Sequence, residues 1–147
     1  MKYVACLFLL LTACAQPDYI DPKAINSVQT DPSQDQCPLA LPQSGLCAEV
    51  QWNIGPQSPA ESEFTLKFWK NTDSKNGPYV DPLSSLNVIL WMPSMGHGSS
   101  PVTIEKIEPG VYRVRRVFFI MPGDWEIRIS LKDGATSVDQ ATVSLLL

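Results

Sequence analysis

Two short segments of the chain hold residue types that could bind a soft metal ion. The first, WMPSMGHGSS at residues 91–100, carries two methionines and the single histidine, and the second, MPGD, begins with another methionine. Thioether sulfur is a soft ligand and imidazole a borderline one, and together they suit Cu(I) better than Zn(II), Ca(II) or Mg(II). The glycines on both sides of the histidine let the backbone bend towards an ion. The sequence therefore predicts a copper(I) site, and its candidate ligands are Met92, Met95, His97 and Met121.

The same residues also allow an interpretation without metal. Methionine often fills gaps at the ends of strands, and Met92 shares strand parity with Leu90. Met121 follows the apolar residues 118–120, and His97 in a serine-rich loop could simply be solvated. The alternative function is then a metal-free interaction or structural module of the cell envelope.

The elements that would position these ligands are β-strands. No stretch repeats apolar residues at helical spacing for three turns, whereas short alternating runs are separated by Pro, Gly, Asn and Asp. About seven strands are predicted, at 48–54, 63–69, 87–92, 102–108, 111–120, 124–131 and 136–146. This pattern indicates an all-β fold, an immunoglobulin-like antiparallel sandwich, with a small closed barrel as the alternative. The alternation slips at Arg115 and Arg116, which predicts a bulge.

Two turn signals fix the direction of the strands. Pro109-Gly110 is typical of a type II turn and predicts a hairpin between the fourth and fifth strands. Asp133-Gly134 predicts another hairpin between the sixth and seventh. If consecutive strands alternate in direction, Met92 and Met121 lie at the same end of the sandwich. That end is predicted to be the one away from Cys37.

The N-terminus reads as an export signal. MKYVACLFLLLTAC has one basic residue and then an apolar run that is too short to cross a bilayer, which needs about 20 apolar residues. Leu-Thr-Ala-Cys resembles the bacterial lipobox, so residues 1–13 are predicted to be a lipoprotein signal peptide and Cys14 to be lipidated. The alternative is an ordinary secretory signal that is cleaved near Ala13 or Ala15.

The remaining chain divides into a linker and one domain. Residues 14–36 are polar, rich in proline and without a sustained period, so they are predicted to form a flexible tether. Residues 37–147 form the predicted domain. Cys37 and Cys47 stand near its start and are expected to form a disulfide in an oxidising compartment. The alternative, a pair of thiolate metal ligands, lacks two further ligands nearby.

Charge and catalytic residues exclude several classes of function. The formal net charge is −4, and no basic cluster is present, so the chain is a poor candidate for nucleic acid. Membrane attachment is expected to come from the lipid, and an envelope protein is the expected partner. In a diderm cell Ala15 after the lipidated cysteine predicts the outer membrane, facing the periplasm. A single histidine, no G-x-S-x-G motif and only Asp124 as a nearby carboxylate predict that the chain is not an enzyme.

Three motifs together resemble a known family. WMPSMGHG, then Pro-Gly-Val-Tyr at residues 109–112, then FFIMPGDWEI are similar to the YtkA-like and FixH-like domains of bacterial extracytoplasmic proteins. The resemblance spans about residues 48–147 and implies an immunoglobulin-like fold without enzyme activity. For some relatives it also implies a link to copper handling or haem-copper oxidase assembly, through the same methionines and histidine. FixH-like members are usually held by a transmembrane helix, whereas a lipid anchor is predicted here.

Overall fold

The computed structural model describes residues 36–147, which form a sandwich of two antiparallel β-sheets. The predicted signal peptide, the predicted lipidation site Cys14 and all but the last residue of the predicted tether lie outside the described residues. No helix within 36–147 is long and apolar enough to cross a membrane. The strands are β1 (Leu39–Leu41), β2 (Leu46–Ile54), β3 (Ser62–Ser74), β4 (Gly77–Tyr79), β5 (Ser85–Met92), β6 (His97–Gly98), β7 (Thr103–Glu108), β8 (Val111–Val117), β9 (Asp124–Asp133) and β10 (Thr136–Leu146).

Two separate sheets, rather than a closed barrel, organise these strands. Sheet I has the order β1-β2-β3-β8-β7, with β4 beside β3, and sheet II has the order β10-β9-β5-β6. The prediction of an all-β sandwich is therefore confirmed. All seven predicted segments coincide with strands, namely β2, β3, β5, β7, β8, β9 and β10. Three further strands, β1, β4 and β6, have only two or three residues, too few to show an alternating pattern.

Alternation along the strands places one face of each sheet in a shared core. From residue 62 to 68 in β3 and from 125 to 131 in β9, every second side chain is buried, and the intervening ones reach the surface. Burial of such side chains is the main stabilising contribution, at roughly 1.5–3 kcal/mol for each large one. The fully buried set from these two strands includes Phe64, Leu66, Phe68, Trp125, Ile127, Ile129 and Leu131.

The predicted bulge is present in β8. Ser62 pairs with Val117 and Phe64 with Val114, so that Glu63 alone opposes both Arg115 and Arg116. Arg116 has a positive φ of 57°, and its N–H donates to the Glu61 carboxylate at 2.8 Å. β8 then ends at Val117, three residues before the predicted end, because residues 118–120 leave the ladder.

Both predicted hairpins are also present. Glu108 pairs with Val111 across the β7–β8 turn, and Asp133 pairs with Thr136 across the β9–β10 turn. Gly110 has a φ of 69°, which is what the third position of a type II turn requires.

A disulfide joins Cys37 to Cys47, with Cα atoms 5.1 Å apart. Cys47 lies next to the buried Ala48 at the start of β2 and pairs with Trp69 of β3. Since Ala48 and Phe68 face the core, the bridge lies on the outer face of sheet I. It fixes the chain just before β1 to the strand with which β1 pairs.

A carboxylate outside the predicted site fastens the β7–β8 hairpin to the segment that leads into β5. Asp81 accepts hydrogen bonds from the N–H of Gly110 at 2.9 Å, from Lys106 and from the hydroxyl of Tyr112 at 2.8 Å. These contacts, led by the one from Gly110, lower the pKa of Asp81 from 3.8 to about 2. Burial and then the hydrogen bond to Asp81 raise the pKa of Tyr112 from 10.0 to about 12.

These two shifts predict a pH window for stability. The depressed pKa of Asp81 stabilises the fold above pH 3.8, and this contribution is lost as the pH falls towards about 2. The raised pKa of Tyr112 stabilises the fold below pH 10, and this stabilisation is lost as the pH rises towards about 12.

We expect Asp81→Asn to flatten the decline of the unfolding free energy between pH 4 and pH 2, measured by urea unfolding. An unchanged acid slope would show that Asp81 contributes nothing to it.

Candidate metal site

The structure brings the predicted ligands to one end of the sandwich. β5 and β9 run antiparallel and pair Trp91 with Glu126, so the end of β5 lies beside the start of β9. Met92 ends β5, and Met121 stands three residues before β9 begins. We call Met92, Met95, His97 and Met121 the Met/His rim.

The opposite end of the sandwich carries the start of the domain. Ser44, in the turn between β1 and β2, donates its backbone N–H to Asp139 near the beginning of β10, at 2.8 Å. β10 then runs towards the Met/His rim, where Leu146 pairs with Asp124. The rim therefore lies away from Cys47 and the disulfide.

Met92 and His97 are direct neighbours across a short hairpin. They form a pair in the β5–β6 ladder, and residues that oppose each other in this way project to the same face of the sheet. Their Cβ atoms are then about 4.5–5.5 Å apart. The sequence placed His97 in a loop, whereas the structure places it on β6. Its Nδ1 lies 3.2 Å from the carbonyl oxygen of Gly98, and it is partly exposed.

Met92 points inward towards the segment that carries Met121. Its side chain is 4% exposed, and its terminal methyl group lies against Gly123, where an added Cβ would come within 2.6 Å of it. Met121 is half-buried at the edge of the core, and its carbonyl oxygen accepts a hydrogen bond of 2.9 Å from the indole of Trp125. Met92, His97 and Met121 thus occupy one corner of the fold.

Met95 is set apart from the other three. It lies at the tip of the β5–β6 turn, where its N–H and that of Gly96 both donate to the Met92 carbonyl, at 3.2 and 3.0 Å. Its side chain is 57% exposed. Met95 therefore contributes to the surface of the rim and not to the inner corner.

Ser99 holds this corner together, a role that no sequence pattern indicates. Its N–H donates to Leu90 in sheet II at 3.1 Å, and its hydroxyl donates to the carbonyl of Phe118, which follows sheet I, at 2.6 Å. The hairpin with His97 and the segment with Met121 are thereby fastened to each other. No sequence pattern predicts that a serine three residues after a turn will link the two sheets.

A family model decides the relationship of this chain to known proteins. The model for the YtkA-like family matches residues 49–130, which is more than half of the chain. The chain belongs to the YtkA-like family. The matched region runs from β2 almost to the end of β9, and so it includes the whole Met/His rim. No curated protein and no solved structure gives a significant match.

Membership in the YtkA-like family agrees with the resemblance of the three motifs, and such extracytoplasmic domains fit an envelope-associated protein. The YtkA-like domain surrounds its rim with few charges. Residues 93–100 and 117–123 contain no Asp, Glu, Lys or Arg. Across residues 36–147 no group of three or more His, Cys, Asp or Glu is arranged to hold a metal ion. A cation bound at the rim would depend on thioethers and one imidazole, which is a donor set for a soft ion.

Proposed function

We propose that this chain is a lipid-anchored protein of the cell envelope that binds Cu(I) as cargo at the Met/His rim. The observation that carries the proposal is the direct pairing of Met92 with His97 beside the segment of Met121. Residues 29 positions apart in sequence supply two soft donors and one borderline donor to the same corner. Met95 supplies a third thioether on the exposed side.

The rim has the access that a carrier needs. It combines the inward-facing Met92 with the exposed Met95 and the partly exposed His97. An ion could therefore be reached from solvent while its inner ligand is held by the core. The position of the rim, away from the disulfide, would leave it clear of an N-terminal anchor.

Anaerobic Cu(I) titration tests this proposal. The soluble chain of residues 15–147 is suitable, because residues 36–147 enclose their own core. Ascorbate should be the reductant, since thiols would compete for Cu(I) and reduce the disulfide. We expect one Cu(I) per chain, retained against a chromogenic chelator. Failure to retain any copper would refute the proposal.

The anchor requires a separate test. We expect Cys14→Ser to release the protein from the membrane fraction or to block its maturation, because lipid attachment needs the thiol. The measurement is fractionation of envelope material, with Cys6→Ser as the control, because that cysteine lies within the predicted signal peptide. A correctly cleaved Cys14→Ser protein that stays on the membrane would contradict lipidation.

A metal-free docking module is the second candidate, and exposure at the rim favours it. Several large apolar side chains at this end are exposed to solvent, and a protein partner could cover them. They are Ile54, Met95, Ile120 and Leu146. The Cu(I) titration separates the two candidates, since a docking module would bind no copper.

We propose no catalytic role for the rim. The hydroxyl of Ser99 is engaged by the carbonyl of Phe118, and the hydrogen-bonding contact of His97 within 36–147 is with Gly98. A serine nucleophile would need His97 as its base, and neither contact joins the two residues.

A further inference from the structure

The outer strands of the two sheets differ in how well their open edges are protected. β1 and β6 have only three and two residues, and β7 carries Glu105, Lys106 and Glu108. Short or charged edge strands resist pairing with another chain. β10 has 11 residues and forms the end of sheet II.

β1 and the turn after it pack close to β10. The first part of β10 carries further devices that protect its edge, and the second part carries none. Its register shifts between Ser137 and Asp139, and the Asp139 side chain accepts hydrogen bonds from Ser44 at 2.8 Å and from the N–H of Gln140 at 3.0 Å. Bulges and inward-pointing charges are the usual devices that blunt an edge. The stretch that follows, residues 140–146 with the sequence QATVSLL, contains no charge and no proline.

The hydrogen bonds of Leu147, directly after this stretch, show to which side its backbone N–H and C=O groups point. Leu147 exchanges both of its backbone hydrogen bonds with Gly123, at 2.7 and 3.1 Å, so its N–H and C=O point towards the β9 side. Successive residues of a strand point to alternate sides. The backbone N–H and C=O groups of Thr142, Ser144 and Leu146 therefore point to the open edge. Within residues 36–147 nothing accepts or donates a hydrogen bond there.

We propose that two copies of this chain form a symmetric dimer by antiparallel pairing of residues 140–146 along this edge. The occupant is a second copy because the stretch is complementary to itself. It is uncharged, so two copies meet without like-charge repulsion, and an antiparallel pair of identical strands closes with twofold symmetry. Next to it on β9, Arg128 and Glu126 form an ion pair of 2.7 Å, which balances the local charge.

The register of the pairing follows from the length of the open stretch. Only when Val143 lies on the twofold axis does the whole of 140–146 pair with its counterpart. Thr142 then faces Ser144 of the second copy, and these two residues exchange both of their edge-directed hydrogen bonds. Val143 faces Val143 of the second copy in a non-hydrogen-bonded pair, where side chains approach most closely.

The side chains agree with this arrangement. Ala141, Val143 and Leu145 are half-buried on the core-facing side of β10, and Ala141 would lie opposite Leu145 of the second copy. Pairing would cover apolar surface that the monomer leaves partly exposed. An interface of one strand is smaller than the 1,200–2,000 Å² typical of stable complexes, so a weak, concentration-dependent dimer is expected.

Sedimentation of residues 15–147 from about 1 µM to about 1 mM tests the proposal, since weak complexes have micromolar to millimolar dissociation constants. We expect a reversible monomer–dimer equilibrium. Thr142→Pro should raise the dimer dissociation constant at least tenfold, because it removes an edge-directed N–H without touching the ladder to β9. Thr142→Val, which keeps the N–H, is the matched control and should still dimerise. Circular dichroism and Tm would verify that both variants are folded.

A crosslink tests the register even if the proline variant does not fold. Val143→Cys should form a disulfide-linked dimer under mild oxidation, since the native cysteines are already paired. Ser137→Cys, in the protected part of the same strand, should not. A wild-type chain that stays monomeric across the whole range would overturn the proposal, and so would equal crosslinking of both cysteine variants.

Discussion

His97→Ala is expected to weaken Cu(I) binding at least tenfold while changing the thermal stability little. Removal of the imidazole takes away the only nitrogen donor that the side chains of the rim supply, and tenfold corresponds to about 1.4 kcal/mol. The core would lose little, because His97 is partly exposed and lies on a strand of two residues. Competition with a chromogenic Cu(I) chelator measures the affinity, and a thermal melt of the copper-free protein measures the stability.

A second substitution at the same position separates coordination from hydrogen bonding. His97→Gln keeps a polar side chain that can reach the carbonyl of Gly98, but it has no imidazole nitrogen. If His97 is a ligand, both variants should lose affinity to a similar extent. Met95→Leu and Met121→Leu, which keep the volume of the side chain, would then show whether each thioether contributes. Unchanged affinity in both His97 variants would exclude coordination by this residue.

Gly110→Ala is expected to destabilise the domain by about 3 kcal/mol or more, which is among the largest effects of a single substitution. A Cβ at this position would collide with the backbone N–H of Val80 and would come within 2.8 Å of the carbonyl carbon of Tyr79. This backbone cannot easily move aside. Val80 donates to Phe68 at 2.9 Å, and Phe68 donates to Gly110 at 2.8 Å.

Gly134→Ala provides the matched control. Gly134 also has a positive φ, of 59°, but nothing lies within 4 Å of the position of its Cβ. Its replacement should cost only the backbone strain, about 1 kcal/mol. Urea unfolding with an unchanged m-value would give both differences. Equal losses for the two variants would show that the collision at Gly110 is relieved without cost.

Hydrophobic alternation was sufficient to predict the main strands. The pattern of Trp125, Ile127, Ile129 and Leu131 has the period of a strand with one buried face, and the structure buries all four side chains. The slip at Arg115 and Arg116 likewise revealed the bulge, because an extra residue shifts the alternation by one. The direction of the strands then followed from two turns. That was enough to predict that Met92 and Met121 lie at one end.

Contacts that depend on short or isolated features could not be predicted. β6 is two residues long and ends in a glycine, so His97 looked like part of a loop. Asp81 resembles any polar residue before a proline, although it fastens the β7–β8 hairpin across 29 positions of sequence to Gly110. Such pairings are set by tertiary packing and leave no periodic trace in the chain.

If the N-terminus is anchored to the membrane, as proposed, the disulfide has a mechanical consequence. Tension that reaches the domain through Cys37 would cross the bridge to Cys47 instead of pulling on β1. β1 is paired over only three residues and would otherwise be peeled away one hydrogen bond at a time. Cys47 belongs to β2, which is paired with β3 along nearly its whole length. The load would thus pass from a short edge strand of sheet I to an interior one, and peeling of β1 would not be the first step of forced unfolding as long as the bridge is oxidised.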